Sequence, residues 1–132
     1  MDIAGTWELV RWTSLKDGKE NGYPLGEDAT GRIIYTTDGH MSAFMMRAGF
    51  ESKDQTTTPT PEDFIAYSAD WQIEGDQVTH EVKFATLPHW IGTPLVRTMD
   101  RQDDTHLLLK TIPETSKSGK VYEHHLLWRK VA

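Results

Sequence analysis

The stretch "VTHEVKFATLPHWIGTPLVR", residues 78–97, decides how this chain folds. In its first half apolar and polar residues alternate. Val78, His80, Val82 and Phe84 share one face; Gln77, Thr79, Glu81 and Lys83 share the other. That is the period of a strand with one face buried. "LPHWIG" then breaks the pattern with a proline and a glycine, as a corner does. "TPLVRTM" resumes it, with Leu95, Arg97 and Met99 on one side. The imidazole of His80 is therefore expected to point inward; both faces of "TPLVRTM" are mixed, and if Leu95, Arg97 and Met99 are the inward set, a guanidinium points in beside it.

The same grammar extends both ways. "DWQIEGDQVTHEVKFA" turns about Gly75-Asp76, and "TPLVRTMDRQDDTHLLLKTI" turns at Gln102 to Asp104. "KVYEHHLLWRKV" follows the turn "SKSG". Upstream, "GRIIYTTDGHMSAFMM" folds about "TDG", a strong hairpin signal. "GTWELVRWTS" is a further strand, followed by the Gly- and Pro-rich loop "LKDGKENGYPLGED". The sum is about eight or nine short antiparallel strands, an all-β sandwich or barrel forming a single domain over residues 1–132. One short helix is expected in "TPTPEDFIAYSA", with Thr60 as N-cap, Pro61 as first helical residue and Asp63 as capping acid. The polar segment 47–63, broken by prolines, is expected to be mobile and could close as a lid.

Composition narrows the partners. There are 20 acidic and 14 basic residues, a formal net charge of −6. Clustered Lys and Arg are missing, which argues against nucleic acid and against an anionic membrane surface. No apolar run is long enough for membrane insertion or a signal peptide. The chain has no cysteine, which removes disulfides and thiolate chemistry and fits a cytoplasmic location. No cofactor is expected: P-loop, G-x-G-x-x-G and G-x-S-x-G patterns do not occur. No metal is expected either, since the adjacent His124 and His125 face opposite sides of a strand.

"GTWELV", "YPLGEDATGRIIYTTDGHMSA", "VTHEV", "LPHWIGTPLVR" and "LLWRK" follow one another in this order over nearly the whole chain. In this the sequence resembles the microbial lipocalin-like domain family, within the lipocalin and fatty-acid-binding superfamily. The resemblance implies an antiparallel lipocalin-like β-barrel with an internal cavity. It also implies that Trp7 closes one end and that Arg129 packs across the indole. Barrels of this kind bind lipids or pigments, and some isomerise or cyclise a bound substrate; the fold does not choose between these.

The expected partner is a small, largely apolar or aromatic organic molecule. Tyr35, Met45, Trp71, His80, Trp90 and Arg97 are the candidate ligand-contacting residues. Were the barrel an isomerase, cyclase or dehydratase, His80 would be the acid–base group, Arg97 the anion stabiliser and Tyr35 a second donor. The plainer alternatives are a buried histidine satisfied by a hydroxyl or carbonyl, an arginine paired with a rim carboxylate, and methionines that are ordinary core. A barrel with a filled interior is the third possibility.

Overall fold

Burial alternates residue by residue within several of the longer strands, and strands are the dominant element among the described residues. The computed structural model describes residues 2–54, 58–60 and 62–132. It contains ten strands: β1 (Gly5–Lys16), β2 (Lys19–Glu20), β3 (Thr30–Tyr35), β4 (His40–Met46), β5 (Phe64–Glu74), β6 (Gln77–Ala85), β7 (Pro94–Arg101), β8 (His106–Thr111), β9 (Glu114–Thr115) and β10 (Val121–Lys130). All neighbours are antiparallel. The order is β2-β1-β3-β4-β5-β6-β7-β8-β10-β9, and β1 also pairs with β10. That pairing closes the sheet into an eight-stranded barrel, with β2 and β9 as short extensions at its edge. Closure leaves the main barrel strands no free edge.

The expected helix is not there. Phe64–Glu74 is strand β5, bonded to β4 on one side and β6 on the other. Its capping signal is used in a turn instead. The Thr60 backbone N–H and hydroxyl both donate to Asp63 Oδ2, at 2.9 and 3.2 Å, and Asp63 N–H returns to Thr60 O at 2.8 Å. Lys53 reaches the same carboxylate at 3.0 Å. Ladder bonds on both flanks outweigh the weak helical preference of "FIAYSA". Pro61 lies outside the described residues. Among them, helical structure is confined to single 3₁₀ turns at Phe50–Ser52 and Pro88–Trp90, and no helix is long and apolar enough to cross a membrane.

Two bulges set which side chains enter the barrel. In β1 the register with β10 shifts between Leu9 and Arg11. Val10 is the extra residue, and from there the inward set changes from Trp7 and Leu9 to Trp12 and Ser14. In β6 the register shifts so that Ser68 faces Phe84 while Ala69 faces Val82, leaving Lys83 as the extra residue. A bulge moves every later side chain to the other face. Phe84, expected inside, is therefore outside and 72% exposed, while His80 and Val82, before the bulge, are buried.

Trp7 is fully buried at one end of the barrel and donates its indole N–H to Ile3 O at 2.9 Å. The cations over its ring are Arg101 and Lys130, each 5.6 Å from the centroid. Arg129 does not take this place. It pairs in register with Glu8, one residue off Trp7, so it points outward and meets the Glu8 carboxylate at 3.4 Å. Lys130, in register with Trp7, is on the correct face.

Candidate functional site

The interior is not filled. A cavity of about 420 Å³ opens at the end away from Trp7, between the Pro88–Trp90 turn and the β9–β10 edge. Its volume falls in the range of small-molecule sites. Ile33, Ala43, Met45, Ile65, Leu109 and Leu126 give it an apolar wall, and Trp12, Trp90 and Trp128 add flat indole surfaces.

The polar lining is sparse. His80, on β6, is 1% exposed and has a phenol on each nitrogen: Tyr35 Oη lies 2.7 Å from Nε2 and Tyr67 Oη lies 2.8 Å from Nδ1. The tyrosines come from β3 and β5, two strands that flank β4. Ala43 of β4 stands in register with Tyr67, and its methyl leaves room for the rings to converge. Burial pushes the imidazole pKa down to about 3, with the Arg97 charge acting in the same direction. Burial likewise raises both phenols, Tyr35 well above its ordinary value; the Arg97 charge opposes this in each. At neutral pH all three groups are uncharged and hydrogen-bonded.

Arg97, on β7, lines the same cavity and is half-buried. Its guanidinium donates to Val96 O at 3.2 Å. Among the described residues it makes no ion pair, so the expected rim carboxylate is not its partner. On β10, His124 faces the cavity together with Tyr122, Leu126 and Trp128. Trp12 donates its indole N–H to His124 Nδ1 at 3.0 Å, which fixes that nitrogen as an acceptor. Burial lowers the His124 pKa and Arg97 lowers it further, while Glu114 raises it. Trp128 is buried, and its own N–H has no hydrogen-bond partner among the described residues.

Of the residues singled out from the sequence, Met45, His80, Trp90 and Arg97 line this one cavity. Tyr35 and Trp71 do not. Tyr35 is buried behind His80. Trp71 lies toward the closed end, edge-on to Tyr35 at 5.1 Å, and donates to Thr36 O at 2.9 Å. The described part of segment 47–63 lies off the cavity: Phe50 packs on Phe64, which stacks on Phe44 on the outer surface. Residues 55–57 and 61 of that expected lid are outside the described residues. Tyr67, Trp12 and His124 were not among the sequence candidates, although His124 shares the period-two face of Leu126 and Trp128.

The sequence model of a family described as "lipocalin-like domain" matches residues 4–131. Among solved structures, an uncharacterised protein from Bacteroides eggerthii is similar at 12% identity and a TM-score of 0.49, over 98% of this chain and all of that one. A redesigned β-barrel is similar at 12% identity and a TM-score of 0.46, over 98% of this chain and 91% of the other. No curated protein matches the chain closely enough to count as a relative.

Proposed function

The chain belongs to the lipocalin-like domain family, and from that premise we propose that its barrel binds one small, largely apolar organic molecule in the cavity beside His80. The observation that supports this best is the cavity itself: about 420 Å³, mostly apolar, with a few polar groups converging at one wall. Three indoles and Met45 suit a flat or alicyclic body.

An enzymatic reading, in which the barrel isomerises, cyclises or dehydrates its ligand, has one observation behind it. Tyr67 and His80 touch at 2.8 Å on the wall of a single cavity. It is the weaker reading, because a base with a pKa of about 3 abstracts protons poorly at neutral pH. It requires that His80→Gln keep binding and lose turnover.

Cavity binding is tested with a neutral apolar probe, 2-acetylnaphthalene, followed by calorimetry. Wild type should saturate at one equivalent. Ala43→Phe puts a ring into the cavity and should weaken binding at least tenfold, its fold checked by a cooperative melt. Unchanged affinity in a folded Ala43→Phe protein would place the probe outside the barrel and end this reading.

A further inference from the structure

The hydrogens around the cavity can be placed by elimination. Tyr35 is buried, does not line the cavity, and its hydroxyl has one hydrogen-bond partner among the described residues, His80 Nε2. A buried O–H without an acceptor costs about 1–3 kcal/mol, so Tyr35 donates to Nε2. A neutral imidazole has one donor and one acceptor nitrogen. With Nε2 accepting, Nδ1 carries the hydrogen and donates to Tyr67 Oη. The Tyr67 oxygen is then occupied as an acceptor, and its own O–H has no protein acceptor among the described residues. Tyr67 lines the cavity, so that hydrogen is offered to whatever lies there.

The other polar groups agree in sign. His124 accepts from Trp12 at Nδ1, so in the neutral ring Nε2 keeps its hydrogen. Trp128 N–H is buried without an acceptor. Arg97 brings up to five donor hydrogens and a positive charge that makes no ion pair among the described residues. Against these stands Glu114, an exposed carboxylate at the rim, where water screens it. The inner wall offers hydrogens, and its one full charge is positive.

We propose that the occupant is an organic acid in its anionic form: an apolar body whose carboxylate accepts from Tyr67 and faces Arg97. Tyr35 and His80 are positioning residues that fix Tyr67 as a donor. This rests on the cavity-binding reading and narrows it to one ligand class. Where the inner polar groups chiefly offer hydrogens, a ligand that brings another donor is disfavoured, because both are left unpaired.

Calorimetry on wild type with 2-naphthoate, 2-acetylnaphthalene and 2-naphthylmethylamine tests the proposal, since the three share a body and differ in the head group. The carboxylate should bind at least tenfold tighter than the ketone, and the ketone tighter than the ammonium. Tyr67→Phe should weaken naphthoate and acetylnaphthalene about tenfold each. Arg97→Met should weaken naphthoate alone. An ammonium that binds as well as the carboxylate overturns the ligand class and leaves cavity binding standing, as does naphthoate affinity unmoved by either folded variant. Failure of all three probes to bind overturns the cavity reading and the ligand class with it.

Discussion

Between about pH 6 and pH 4.5 the fold should weaken by about 1.4 kcal/mol per pH unit through His80 alone. The folded-state pKa is about 3, far below the ordinary 6.5, chiefly because burial disfavours the imidazolium. Within that window the unfolded chain takes up a proton at this site and the native barrel does not. Falling pH therefore favours unfolding, and the loss continues until the pH nears 3. Above about pH 7.5 both states are neutral and the site contributes almost no slope. His124 is shifted in the same direction and adds to the trend. The carboxylates of Asp103, Asp63, Asp38 and Glu8 are held low by hydrogen bonds, so their contributions disappear only at lower pH. Denaturant melts of wild type and His80→Gln at several pH values separate the effects. Gln keeps a donor and an acceptor but cannot charge, so its slope should be shallower by the His80 share. Equal slopes would mean that His80 is not a buried neutral base.

Trp7→Ala should cost about 3–5 kcal/mol, a large part of the 5–15 kcal/mol that holds a domain of this size together. Trp7 is fully buried at the closed end. Removing the ring also strips the surface against which Arg101 and Lys130 lie and leaves Ile3 O without its indole donor. Trp7→Phe keeps much of the packing and loses the N–H, so it should cost about 1–3 kcal/mol. Urea midpoints measure both. Equal losses for Ala and Phe would show that the hydrogen bond, not the packing of the plug, dominates.

The strand pattern carried the barrel, because hairpin turns such as "TDG" and Gly75-Asp76 pin register locally. His80 could be placed because its strand keeps strict period two up to Lys83. What the pattern could not show is where that period breaks. Phe84 lies beyond one bulge, and Trp12 lies beyond another at Val10, where Arg11 would otherwise take the inward place. The Val10 bulge belongs to the β1–β10 pairing that closes the sheet, between residues more than a hundred positions apart; the Lys83 bulge sits inside the β5–β6 hairpin, where no turn signal marks it. Tyr67 was hidden for a different reason. A local capping signal at Thr60 and Asp63 suggested a helix, in which Tyr67 lies on the face opposite Ile65 and Ala69; as strand β5 they all point inward. The resemblance to a family supplied the cavity and the Trp7 plug. It misplaced the cation, since Lys130 and not Arg129 is in register with Trp7.

A crystal structure of the protein with 2-naphthoate tests the central claim most directly. The ring system should lie between Trp12, Trp90 and Met45 inside the barrel. Its carboxylate should be within hydrogen-bond distance of Tyr67 Oη and beside the Arg97 guanidinium. Naphthoate seated instead in the outer groove between Phe44 and Phe84, or inside the barrel with its carboxylate turned out to solvent, would contradict the account.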